Sequence, residues 1–188
     1  MDSAPLTQTS SSFYEIGKPK KGETIFISAA SGAVGQIVGQ LAKREGLIVI
    51  GSVGSEEKVE LAKNKLKFDE VFNYKTTSNG EALKRLAPQG IDIYFDNVGG
   101  EALEAAIDNA NTFARFIECG MISQYNLKKD EKPYHVKNLM QIVAKRLLIQ
   151  VWVLESQMLL NMPSVTDSTA IISPLANHLL TFSLCSLP

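Results

Sequence analysis

Phe26-Ile27-Ser28-Ala29-Ala30-Ser31-Gly32-Ala33-Val34-Gly35 decides the fold of this 188-residue chain. An apolar, strand-like run ends in a turn of small residues, and a helical pattern starts at once. That is the outline of a dinucleotide-binding turn. Small residues let the backbone approach a pyrophosphate, whose charge then rests on a helix N-terminus. Ala30, Gly32 and Gly35 match G-x-G-x-x-G/A with alanine in the first place, so the motif is degenerate. Its weight comes from what surrounds it.

Upstream, the charged turn Gly17 to Glu23 delivers the chain into a first strand, Thr24 to Ser28. Downstream, Ala33, Val34, Ile37, Val38 and Leu41 share one helical face. Leu47 to Val53 reads as a strand buried on both sides, as in parallel sheets. Ser55 caps a helix running to Lys65, with Val59, Leu61 and Ala62 turned inward. The alternation goes on: strand 70–74, helix 80–87, strand 91–98, helix 101–111, strand 114–119, helix 136–145, strand 147–154. Strands alternating with helices and no hairpin signal predict right-handed crossovers and an α/β, doubly wound Rossmann fold with six parallel strands.

Residues 1–14, Ser/Thr-rich and aperiodic, are expected to be a disordered lead, and 15–154 to form the nucleotide-binding domain. Residues 155–188 read differently. All 19 Lys and Arg lie at or before Arg146, and beyond residue 150 the only formal charges are Glu155 and Asp167. An irregular or partly helical tail is expected there; Pro174, Asn177 and His178 interrupt any apolar run long enough to span a bilayer.

Bulk properties narrow the function. A net charge of −1 without a basic block argues against nucleic acid and against a membrane surface as partners. Two cysteines, Cys119 and Cys185, and two histidines, His135 and His178, lack disulfide or zinc spacing. The start Met1-Asp2-Ser3 lacks the features of a signal peptide, so a cytoplasmic protein is expected.

Four later segments fall where a dinucleotide site needs them. The tip of the second strand, Gly51 to Ser55, carries no carboxylate to hold a ribose hydroxyl, and Lys58 follows one turn into the helix. That combination favours a 2′-phosphate, hence NADP(H), although Lys58 also reads as a solvated helix lysine. Tyr74 ends the third strand beside the same phosphate position, or merely packs there. Asn97, in Asp96-Asn97-Val98-Gly99-Gly100, can donate to and accept from a nicotinamide ribose, or the segment simply ends its strand in an Asx-turn. Cys119-Gly120-Met121-Ile122-Ser123-Gln124-Tyr125 supplies small and apolar residues for a nicotinamide face. Within it, the Tyr125 phenol is a candidate proton donor to a carbonyl oxygen, with loop packing as the alternative. Cys119 reads as a strand residue rather than a nucleophile.

Taken together, Ala29–Gly35, Gly54–Lys58, Phe72–Lys75, Tyr94–Gly100 and Cys119–Asn126 resemble the zinc-independent medium-chain dehydrogenase/reductases, specifically the NADP-dependent alkenal double-bond reductases and prostaglandin/leukotriene reductases. The resemblance implies NADPH-dependent reduction of the C=C bond of α,β-unsaturated aldehydes and ketones, with hydride delivered to the β-carbon. It implies that Gly32, Ala33, Val34 and Gly35 hold the pyrophosphate, and that Lys58 and Tyr74 hold the 2′-phosphate. Asn97 and the segment Cys119, Gly120, Met121, Ile122, Ser123 would line the nicotinamide end, and Tyr125 would bond the substrate oxygen. A quinone reductase of the same superfamily and a non-catalytic NADP-binding module are the alternatives. The family's GroES-like barrel domain has no counterpart in this sequence, so a shortened chain is expected. A homodimer through the edge strand 147–154 is the expected assembly.

Overall fold

A computed structural model describes residues 9–128 and 130–152. Six parallel strands form one sheet: β1 (Thr24–Ile27), β2 (Ile48–Val53), β3 (Glu70–Asn73), β4 (Ile91–Asp96), β5 (Ala110–Glu118) and β6 (Leu148–Val151). They lie in the order β3-β2-β1-β4-β5-β6, all pairs parallel. This is the doubly wound Rossmann arrangement that the alternation predicts. The order reverses between β1 and β4, so the loops leaving those two strands diverge and open a crevice.

The apolar strands read as continuous in sequence but divide their side chains between two cores. Ile25, Ile27, Val49, Ile93, Phe95 and Ile117 enter one, while Phe26, Ile50, Tyr94 and Phe116 enter the other. Period-2 alternation does the sorting. The first core lies under the helices α1 (Ala33–Arg44) and α2 (Glu56–Asn64), through Val38, Ala42 and Ala62. The second lies under α3 (Asn79–Leu86) and α4 (Gly100–Asn109), through Ala82, Leu83, Ala106 and Ile107. Phe26 stacks on Tyr94 with ring centroids 5.0 Å apart. Two short helices follow, α5 (Ile122–Tyr125) and α6 (Met140–Lys145).

Several expectations need correction. Residues 9–14 are not a disordered lead: residues 9–17 are helical, and Phe13 and Ile16 are buried against Ile93 and Ile117. A Phe/Ile pair three residues apart makes one apolar face in a single turn, a signal too short to stand out of Ser/Thr-rich surroundings. Tyr14 then ties the segment to the end of α1, donating its hydroxyl to Glu45 Oε1 at 2.7 Å and accepting from Arg44. In α2 the inward face is Val59 and Ala62, three apart, while Leu61 is exposed. Ala33, expected on the inner face of α1, is exposed as well.

The helix expected over 136–145 forms only from Met140. Before it, the backbone N–H of Lys137 donates to Glu104 Oε2 and Asn138 Nδ2 donates to Glu104 O and Asp108 Oδ1, each at 2.7–2.8 Å. Those bonds tie the segment to α4 ahead of the helix. β5 begins at Ala110, four residues before its expected start, and β4 stops at Asp96 because an Asx-turn takes over. β6 pairs with β5 alone and forms the sheet edge. Residues 1–8, the end of the expected sixth strand and the expected tail 155–188 lie outside the described residues. Among the described residues, no helix is long and apolar enough to cross a membrane.

Candidate functional site

The first wall of the crevice is the β1–α1 turn. Ala29 adopts a left-handed conformation (φ 50°), and Gly32 N–H donates back to its carbonyl at 2.9 Å. Helix α1 starts on Gly32 with no side-chain cap and no acidic residue in its first turn. α2 and α3 differ: Ser55 and Ser78 each accept from the backbone N–H three residues on. A helix start that lacks its own cap keeps the first-turn N–H groups and their partial positive charge for an outside anion. Gly35 lets that start lie against the strand. A Cβ there would stand 2.6 Å from Ala29 O and 2.9 Å from Ala30 Cα.

At the neighbouring tip of β2, Lys58 is exposed and makes no ion pair among the described residues. Glu56, two residues before it on the same turn, accepts from Asn73 Nδ2 at 2.8 Å. Tyr74 N–H donates to Val53 O at 3.0 Å, and its ring lies on Gly54, whose Cβ position is 3.1 Å from Tyr74 Oη. Tyr74 is 49% exposed, so this ring does not serve the core.

The opposite wall leaves β4 and β5. Asp96 Oδ1 accepts from Val98 N–H (2.8 Å) and Gly99 N–H (2.9 Å), bending the chain into a turn with Gly99 at φ 69°. Asn97 bridges this turn to β1: its backbone N–H donates to Ser28 Oγ and its side-chain Nδ2 to Ser28 O, both at 2.8 Å. The amide group therefore fastens β4 to β1, leaving its Oδ1 without a donor among the described residues. Its sequence reading as a direct ribose contact is narrowed to that oxygen.

The loop after β5 folds back on the same turn. Cys119 and Gly120 N–H donate to Asp96 O, Ile122 N–H to Asn97 O, and Ser123 Oγ to Val98 O at 2.6 Å. Tyr125 Oη accepts from Met121 N–H at 2.9 Å. One lone pair is thus engaged while the hydroxyl proton stays free to donate, and the ring is 45% exposed. Burial, then the nearby Glu118 and Asp96, push the Cys119 thiol up to about 12, so it stays neutral and a poor nucleophile at physiological pH.

The topology thus brings Gly32–Gly35, Asn97 and Cys119–Tyr125 to the ends of β1, β4 and β5, and Lys58 and Tyr74 to the ends of β2 and β3. Sequence reasoning passed over Ser28 and Asp96, whose hydrogen bonds tie the loops beneath them, and the buried Glu118 that pairs with Asp96 in register. Polar residues at strand ends beside apolar runs were the available signal. No group of three or more His, Cys, Asp or Glu among the described residues could hold a metal ion.

The sequence pattern of the family described as "Zinc-binding dehydrogenase" matches residues 33–162. The chain is 66% identical over 140 residues to NADP-dependent oxidoreductase RED1 of Cochliobolus heterostrophus, covering 74% of this chain and 40% of that protein. It is 55% identical over 139 residues to a 2-alkenal reductase (NADP(+)-dependent) of Nicotiana tabacum, with 73% and 40% covered. The crystal structure of CurA in complex with NADPH from Vibrio vulnificus matches with a TM-score of 0.73 at 40% identity, covering 82% of this chain and 46% of CurA. The chain spans about two-fifths of the length of these curated relatives. Fold and sequence pattern agree: the chain belongs to the zinc-binding dehydrogenase family and, within it, to the zinc-independent medium-chain dehydrogenase/reductases of the alkenal and prostaglandin reductase branch.

Proposed function

We propose that this chain binds NADP(H) in the crevice between β1 and β4 and with it reduces the C=C bond of α,β-unsaturated aldehydes or ketones. The observation that carries the reading is the start of α1. It is glycine-led, uncapped and free of acidic residues, at the point where the strand order reverses. The first-turn N–H groups of Ala33, Val34 and Gly35 hold the pyrophosphate there. Lys58 and Tyr74 hold the 2′-phosphate, the first by charge and the second by its hydroxyl. Asn97 Oδ1 and the Cys119–Ser123 loop face the nicotinamide half.

Bound NADPH supplies a hydride to the substrate β-carbon. Electron density then moves onto the carbonyl oxygen, and the Tyr125 hydroxyl, oriented by Met121 N–H, donates a hydrogen bond to it and assists proton delivery. A second reading, an NADP(H)-binding module without turnover, is favoured by the exposure of Met121 and Ile122, the apolar part of the loop meant to shield the reacting centre. NADPH oxidation on addition of an unsaturated aldehyde separates the two.

The test of cofactor choice is a calorimetric titration with NADPH and then NADH. NADPH is expected to bind more tightly, and Lys58→Ala to weaken NADPH by about 10-fold or more, the worth of one charge-assisted contact, while sparing NADH. Equal weakening of both cofactors removes Lys58 from the phosphate site. Absence of binding to either rejects the reading.

A further inference from the structure

The ends of β4 and β5 hold two buried carboxyl groups for which cofactor binding has no direct use. Asp96 is 0% exposed and Glu118 is 6% exposed. They are register partners on adjacent parallel strands, so their side chains rise from the same face. Asp96 Oδ1 is saturated: besides Val98 and Gly99 N–H, it accepts from Tyr94 Oη at 2.7 Å and Ser28 Oγ at 3.0 Å. Asp96 Oδ2 and both Glu118 carboxyl oxygens have no donor among the described residues.

Buried acceptors without donors are rare, and two buried carboxylates side by side oppose ionisation through both desolvation and like-charge repulsion. A single proton resolves both conflicts. With Glu118 neutral, its O–H donates to the Asp96 carboxylate beside it and the pair carries one charge instead of two.

The same aspartate organises both loops of the crevice wall. Its side chain holds the Val98 and Gly99 amides, and its main-chain carbonyl takes Cys119 and Gly120 N–H. We propose that Asp96 and Glu118 share one proton across the β4–β5 junction and act as positioning residues, fixing the Asn97–Gly99 turn and the Cys119–Met121 segment against each other. What those loops then receive rests on the NADP(H) reading; the shared proton does not.

Burial, the charge of Asp96 and the hydrogen bond to Asp96 hold Glu118 up to about 9, neutral at physiological pH. The other titratable groups facing the pair are Tyr94, pushed well up by burial and by Asp96, and Cys119, pushed up to about 12. From β1 the pair meets Ser28, from β6 Glu118 has Val151 as register partner, and Trp152 N–H donates to Glu118 O. None of the ion pairs among the described residues includes Asp96 or Glu118.

The experiment follows the amide resonances of Val98, Gly99, Cys119 and Gly120 in the full chain from about pH 7 to about pH 10, in the wild type and in Glu118→Gln. The wild-type signals are expected to move together with a midpoint near 9. The glutamine variant, whose side-chain amide donates to Asp96 at every pH, is expected to match the wild type at the low end and to stay flat. Wild-type signals that do not titrate, or that move identically in the variant, overturn the proposal. If Glu118→Gln does not fold, Asp96→Asn replaces it. It leaves Glu118 beside a neutral amide donor, so the transition near 9 should vanish there too.

Where NADPH binds, its wild-type affinity should fall at least tenfold across the same transition and hold in Glu118→Gln; parallel losses in both proteins refute the positioning role. Where NADPH binds at no pH, the cofactor reading fails alone, and the amide titration still decides on the pair.

Discussion

Replacing Tyr125 by phenylalanine is expected to slow NADPH oxidation with an unsaturated aldehyde by about 100-fold while moving NADPH affinity by less than about threefold. The expectation comes from what the hydroxyl does in this loop. Its oxygen accepts from Met121 N–H at 2.9 Å, which orients the phenol and leaves its proton as the one hydrogen-bonding function still to be used. Gly120 makes room for it, since a Cβ there would stand 3.0 Å from Tyr125 Oη. Phenylalanine keeps the ring and its packing but removes donor and acceptor together. The ground-state complex with cofactor should therefore persist while stabilisation of the developing oxyanion is lost. Because the ring is half exposed, the substitution should leave the thermal midpoint nearly unchanged. A kcat equal to the wild type's would remove Tyr125 from the chemistry and leave it a loop-packing residue.

The parts of the molecule that were legible from sequence are those whose determinants are local. The β1–turn–α1 unit follows from Ile25–Ile27, a run of small residues and the glycine at 35, all within a dozen positions. The parallel, doubly wound sheet follows because strands alternate with helices and no hairpin signal breaks the alternation. What escaped was set by partners distant in the chain. Phe13 and Ile16 look like stray apolar residues in a polar lead until Ile93 and Ile117 are brought beneath them. Lys137 and Asn138 fall inside the expected helix, yet the Lys137 N–H and the Asn138 side chain bond Glu104 and Asp108 on α4 instead.

The site shows the same division. Asn97 was singled out for what an amide can offer a ribose, but the fold engages its N–H groups with Ser28. Its neighbour Asp96 takes the organising role, because only the assembled sheet places Ser28, Tyr94 and Glu118 around it. A charged residue at the end of an apolar strand carries no such message by itself; its partners on β1 and β5 supply it.

Gly35→Ala should damage both the fold and cofactor binding, and Gly80→Ala serves as its control. At residue 35 the new Cβ would meet Ala29 O at 2.6 Å, Ala30 Cα at 2.9 Å and Ala30 C at 3.0 Å. All three are backbone atoms, so no rotamer change relieves the contact. Either α1 lifts from β1 or the turn deforms, and the turn already holds Ala29 in a left-handed conformation. Overpacking of this kind costs about 1–3 kcal/mol of stability. The cofactor should be affected more than the fold, because the displaced N–H groups of Ala33, Val34 and Gly35 are the ones assigned to the pyrophosphate. A shift of about 1 Å misaligns several hydrogen bonds at once, and NADPH affinity should fall by about 100-fold or more. At residue 80, in the first turn of α3, a Cβ meets nothing within 4 Å. There the same substitution restores helix propensity and should raise stability by about 0.5–1 kcal/mol, leaving NADPH binding intact. Opposite signs in denaturant midpoint and a binding loss confined to residue 35 would establish that the close approach of α1 to β1 shapes the anion site. Equal and small effects at both positions would mean that the helix start tolerates a side chain, and that the site lies elsewhere along the crevice.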